Sequence, residues 1–142
     1  MIKIIEYNAA LNLKGNAMNR TDMGKAIIQV AESTLHDKKY VSPIDILVGM
    51  KMLQPAHLLD WRKGKIFYLE KTIQGSLGKI SYVMKCFRQW ANKKGLKPSQ
   101  TTYLTRTKCP KKELQFSKSG NPIIEKAYRT HYISPSLSKK KD

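Results

Sequence analysis

Lysine and arginine side chains follow a phosphate backbone, and glutamine and asparagine beside them reach base edges. One stretch of this sequence carries that set without a carboxylate: Lys71, Gln74, Lys79, Lys85, Gln89, Asn92 and Lys93. Lys97, Arg106, Lys108, Lys111, Lys112, Lys118 and Arg129 continue the charge toward the C-terminus. These are the expected nucleic-acid-binding residues. A second chemistry draws on the same half of the chain. Metal-independent RNA cleavage needs a base, an acid and a cation to meet developing charge, and His131, Glu125, Tyr128, Arg129 and Arg106 supply those types, with Glu113 an alternative acid. A nuclease built on Mg²⁺ would instead need clustered carboxylates, and beyond residue 70 only Glu113, Glu125 and Asp142 occur.

The charge behind both readings is uneven. The 142 residues hold 27 Lys+Arg against 10 Asp+Glu, a formal net charge of +17. Residues 1–70 carry 10 bases and 7 acids, whereas residues 71–142 carry 17 and 3. Between Glu70 and Glu113 run 42 consecutive residues without an acid. Such a block repels itself when folded, and a polyanion relieves that cost. Solubility alone is served better by added acids than by added bases. Three functions are therefore expected, in this order: a non-catalytic nucleic-acid-binding protein, DNA or RNA; a small ribonuclease of the growth-inhibiting toxin kind centred on His131 and Arg129; and a basic adaptor or inhibitor that docks on an acidic protein.

Other classes fall away. Cys86 and Cys109 are the only cysteines, and with His36, His57 and His131 they form no pair at metal-ligand spacing, so neither a disulfide framework, a metal nor a cofactor is expected. No Walker, dinucleotide-binding, nucleophile-elbow or zincin spacing occurs. The apolar run at Ile2, Ile4 and Ile5 is too short for a signal-peptide core, and no stretch is long enough to cross a bilayer, so a cytoplasmic location without membrane contact is expected. Ser117, Lys118, Ser119, Gly120 and Asn121 have the residue types of a phosphate-holding loop before a helix, but lack P-loop spacing and read first as an ordinary turn.

The elements that must position these residues follow from periodicity. With 41% hydrophobic residues the chain has enough apolar surface to fold, and its length fits one domain, here residues 1–134 with a lysine-rich tail at 135–142. Residues 1–69 read as a scaffold: a short strand and loop to Arg20, a helix from Thr21 to His36 along Met23, Ala26, Ile27, Val30, Ala31 and Leu35, then two short helices. Ser42, Pro43 and Asp45 open the first of these as a capping box, carried to Met52, and Pro55 opens the second, which ends at Gly64. They resemble a helix-turn-helix in spacing, yet the turn that would read bases is Pro55, Ala56, His57, Leu58, Leu59 and Asp60, poor reading chemistry.

Leu69, Ile73, Leu77, Ile80, Met84, Phe87 and Ala91 step by three and four, which predicts one long amphipathic helix over 70–95 stopped by Gly95, Leu96 and Pro98. The basic and amide residues above, with Gly75, Gly78 and Tyr82, fall on its opposite face. Residues 99–134 read as β-rich, with a hairpin from Thr101–Thr107 to Leu114–Phe116, then either a turn at Ser119–Pro122 or an N-cap there for a short helix through Ile123, Ile124, Ala127 and Tyr128, and an extended Arg129–Ile133. There Tyr103, Arg106, Phe116, Tyr128, Arg129, His131 and Tyr132 interleave rings and bases, half of them core and half free to stack on nucleobases. The expected class is α+β: a helical N-terminal half packed on one long helix, then a small basic portion containing a β-hairpin.

Overall fold

The computed structural model describes residues 19–106 and 112–135. Lys108, Cys109, Lys111, the strand expected before Arg20 and the tail from residue 136 lie outside the described residues. Within them the chain is α+β, five α-helices and a three-stranded antiparallel sheet.

Helix α1 spans Arg20–Lys38 and buries Met23, Ala26, Ile27, Val30 and Ala31, the stripe that its spacing predicts. Asn19 caps it, its Oδ1 accepting the Asp22 N–H at 2.8 Å. The chain leaves through Lys39 at φ 67 into strand β1, Tyr40–Val41. Helix α2, Pro43–Gly49, opens on the expected capping box: Ser42 Oγ accepts the Asp45 N–H at 3.1 Å and Asp45 Oδ2 accepts the Ser42 N–H at 3.0 Å. It stops before Met52 because the backbone turns at Lys51, φ 62, and both Met52 and Leu53 return their N–H groups to the Leu47 carbonyl as they enter the core. Helix α3 spans Pro55–Arg62, with Gly64 beyond it at φ 79.

The expected long helix is shorter than the apolar stripe. A 3₁₀ turn at Leu69–Lys71 precedes helix α4, Leu77–Lys93, and residues 72–76 are not helical. The backbone explains the break. Gly75 sits at φ 116, outside any helix, and the Gln74 N–H donates to the Met52 carbonyl at 2.7 Å instead of to its own turn. Ser76 then restarts the helix, its Oγ accepting the Lys79 N–H at 3.1 Å. Leu69 and Ile73 still reach the core from the turn, whereas Leu77 is 67% exposed. The end is as predicted: the N–H of Gly95 returns to Asn92 and that of Leu96 to Ala91, both at 3.1 Å, the paired bonds of a Schellman stop with Leu96 buried.

The C-terminal part holds less strand than its composition suggests. Strand β2 is Lys97–Gln100, ahead of the expected Thr101–Thr107, because its partner is strand β3, Thr130–Ile133, in register Lys97↔Ile133 to Gln100↔Thr130. Strand β1 pairs with the other edge of β3, giving the order β1-β3-β2. The hairpin contracts to one antiparallel bridge, Leu104↔Glu113, flanked by Thr105 N–H to Lys112 O at 2.8 Å and Leu114 N–H to Tyr103 O at 2.7 Å. Helix α5, Pro122–Arg129, is the short helix expected after Asn121 and Pro122, and Asn121 Oδ1 accepts the Ile123 and Ile124 N–H groups at its start.

Two layers enclose the core. α1 and α4 run in the same direction, since Tyr82 Oη donates to the Arg20 carbonyl at one end and Glu32 takes Trp90 Nε1 and Lys94 Nζ at the other. Tyr132 of β3 meets the α4 residue Phe87 edge-on, ring centroids 5.2 Å apart. A second ring cluster joins Trp61, Phe116 and Tyr128, with Trp61 Nε1 donating to the Gln115 carbonyl at 2.8 Å. α1 and α2 approach so closely at Gly49 that a β-carbon there would collide with Val30 Cγ1. Gly49→Ala is accordingly expected to destabilise the fold by about 1–3 kcal/mol, read as a lower urea midpoint at unchanged slope.

Candidate functional site

Alternation along β3 divides the basic half into two faces. Tyr132 points into the core toward α4, so His131 and Ile133 point to the other side of the sheet, with Tyr40, Ser99 and Lys97 beside them. The residues expected to form one interface therefore belong to separate surfaces.

The first surface is the outer face of α4. Lys85, Gln89, Asn92 and Lys93 are exposed there with Arg88, Lys79 lies half-buried at its margin, and the helix contains no acid. Lys94 is different, because Glu32 pairs with it at 2.8 Å. Arg20 lies over the Tyr82 ring at 4.6 Å and extends the charge across to α1. Lys71 and Gln74, expected on this helix face, stand on the turn before it, both exposed. Arg88, absent from the expected set, is exposed one turn from Lys85 and Asn92 on their face.

The second surface is a cavity of about 660 Å³ between β1, α2, α3 and the segment Thr101–Arg106. His131 and Arg106 line it, joined by Lys38, Tyr40, Tyr103 and Arg62. The Tyr103 hydroxyl and His131 Nε2 are 2.8 Å apart, and the His131 ring stacks on Tyr40 at 5.8 Å, only 3° from parallel. Lys38 Nζ is 4.6 Å from the centre of the Tyr40 ring and bonds both oxygens of Asp45, at 2.8 and 3.0 Å. Arg62 lies over Tyr103 at 5.0 Å. The Arg106 N–H donates to the Arg62 carbonyl at 2.7 Å, which brings the two arginines to one wall.

The electrostatics of the cavity are those of a cationic site. Burial, and then the charge of Arg106, lower the pKa of Arg62, although a guanidinium remains charged in a protein. Its Nε is closed to solvent and has no hydrogen-bond partner. Burial raises the Tyr103 phenol to about 12, so it stays protonated. Burial also lowers His131, with Asp45 opposing and Lys38 reinforcing the shift, which leaves the imidazole neutral near pH 7. Sequence reasoning passed over Lys38 and Arg62. The spacing of Leu58, Leu59 and Arg62 puts all three on one face of α3, and that signal marks Arg62 as facing the cavity rather than only closing a helix.

The remaining candidates have structural partners. Of the catalytic set, His131 and Arg106 line this cavity, whereas Glu113, Glu125 and Arg129 line a separate one of about 340 Å³ without a histidine. The buried Glu125 carboxylate accepts the Phe116 N–H at 3.0 Å, the Ser117 N–H at 2.7 Å and the Ser117 hydroxyl at 2.6 Å. Tyr128 donates to Glu70 at 2.8 Å, and burial followed by that carboxylate pushes its phenol well above the ordinary range. Arg129 faces Glu113 at 3.6 Å. The Ser117–Asn121 segment is an ordinary capped turn, since Ser117 Oγ takes the Gly120 N–H at 3.0 Å and a carboxylate already occupies the place of a phosphate. Lys118, its N–H on Glu70 Oε1 at 3.0 Å, Lys112 and Lys97 have exposed side chains away from α4. Phe116, Tyr128 and Tyr132 are core, while Tyr103, Arg106 and His131 reach the cavity.

Among the described residues no three of His, Cys, Asp and Glu come together, and no helix is long and apolar enough to cross a membrane. No family model matches the chain, and comparisons with characterised proteins and with solved structures find no significant match.

The depressed His131 pKa fixes a sign. Below its ordinary value the unfolded chain takes up a proton that the folded chain refuses, so stability present at neutral pH is lost as pH falls. Urea midpoints measured from about pH 7 down to about pH 5 are expected to fall, and to fall less in His131→Gln, which removes this titration.

Proposed function

We propose that the protein binds nucleic acid through the outer face of α4, by contacts to phosphates. The observation that carries this reading is the row Lys85, Arg88 and Lys93, exposed on one helix face with Gln89 and Asn92 between them and no acid on the helix. Cations at this spacing each neutralise a phosphate and release its counterion. The amides supply donors and acceptors suited to base edges. A cytoplasmic place of action fits a nucleic-acid ligand and belongs to the same proposal.

The reading supports binding without cleavage. His131 has Arg106 near it, but the only carboxylate in that cavity, Asp45, is held by Lys38 and by the Ser42 N–H. RNA incubated with the protein in EDTA is therefore expected to stay full length; cleavage that disappears in His131→Ala would establish the ribonuclease reading instead.

Binding to a short DNA duplex should weaken linearly on a plot of log K against log salt. The triple variant Lys85→Ala, Arg88→Ala, Lys93→Ala is expected to make that slope shallower by about 2.7, three phosphate contacts at about 0.9 each. A slope unchanged in the triple variant would move the interface off α4. Binding to an acidic protein with no response to either DNA or RNA would replace nucleic acid with a protein partner.

A further inference from the structure

The cavity on the other side of the sheet has a composition that phosphate contacts on α4 leave unexplained. Its charged wall is Arg62 and Arg106, neither with a carboxylate partner among the described residues, held together by the 2.7 Å bond between their backbones. Two guanidiniums at one wall repel each other, and burial of the Arg62 Nε without an acceptor adds a desolvation cost. An anion at this wall relieves the repulsion, and a guanidinium pair presents planar forks that match phosphate oxygens.

The same face of α3 turns apolar one turn before Arg62. Pro55, Leu58 and Leu59 line this part of the cavity, with Leu59 44% exposed. Phosphate alone would leave that part and most of the roughly 660 Å³ unused, whereas pockets of about 300–1,000 Å³ with a few convergent polar groups suit small organic ligands. A neutral imidazole and a protonated phenol line the same cavity beside Arg62; their mutual 2.8 Å bond occupies His131 Nε2 and leaves one remaining hydrogen-bonding function on the phenol for a heterocycle or a sugar hydroxyl. Lys38 does not compete for the anion, because Asp45 holds it.

We infer that the cavity binds one nucleotide, with the phosphate against Arg62 and Arg106 and the base against Leu58, Leu59 and Pro55. This site is separate from the α4 face and stands without it. The ligand is a free nucleoside monophosphate or the phosphorylated end of a strand, which share this chemistry.

Isothermal titration of the intact chain at about 0.15 M salt, where charges on distant faces are largely screened, tests the inference with adenosine 5′-monophosphate, adenosine and inorganic phosphate. The nucleotide is expected to bind at least about tenfold more tightly than either fragment, and Arg106→Gln to weaken it by about 10–100-fold, the loss of one charge-assisted bond. Arg106 is exposed, so this variant is expected to fold even where Arg62→Gln disturbs the packing on Tyr103. Leu59→Ser is expected to weaken the nucleotide and leave inorganic phosphate unchanged.

A 5′-phosphorylated oligonucleotide that competes with the nucleotide, while its 5′-hydroxyl counterpart does not, identifies a strand end as the ligand. Failure of the phosphorylated strand to compete identifies the free nucleotide. Inorganic phosphate or adenosine binding as tightly as the nucleotide would overturn the inference, as would no binding by any of the three. So would an equal loss in the α4 triple variant, which would reduce the cavity to diffuse attraction; that variant is expected to keep its nucleotide affinity while its salt slope changes.

Discussion

Because β3 is the central strand of the sheet, four residues at the end of the described chain hold together segments far apart in sequence. Tyr40–Val41 pairs along one side of it and Lys97–Gln100 along the other. Its alternation sends Tyr132 against Phe87 and His131 into the cavity. The helical layer needs the first contact to close its core, and the cavity needs the second to have a floor. Neither side chain can move to the other face without a change of register that would reverse both.

The scarcity of acids takes on a structural meaning in this frame. Glu70 and Glu125 hold the segment around Phe116, Ser117 and Lys118 by accepting backbone N–H groups and the Tyr128 phenol, and Asp45 closes the capping box of α2. Carboxylates occupied in this way do not neutralise lysines on the outer face of α4. The positive charge of that face is a consequence of where the acids are used as much as of how many bases there are.

Local chemistry made most of the helical half legible. Ser42, Pro43 and Asp45 mark the start of α2, and Gly95 with Leu96 marks the end of α4, because caps act through neighbours in sequence. The apolar stripe of α4 misled at its start. Leu69 and Ile73 keep helical spacing, yet Gly75 and the bond from Gln74 to Met52 take the backbone out of the helix. The sheet was least legible. β1 has two residues, and its partner lies about ninety positions away, so neither periodicity nor a turn announces it. The cavity shared that difficulty: Lys38, Arg62 and His131 come from three elements that only the sheet and its packing bring together, and only the position of Arg62 on one face with Leu58 and Leu59 was open to inspection.

The same small sheet limits how copies of the chain can meet. Thr101 donates to the Arg129 carbonyl, so alternate residues back along β2 face β3, and Pro98 faces outward on the free edge. A proline there has no N–H to offer an incoming strand, and the flanking Lys97 adds charge to the edge. The opposite edge, β1, is too short for a ladder. Among the described residues, strand-to-strand growth into an extended β-assembly therefore has no template on either side of this sheet.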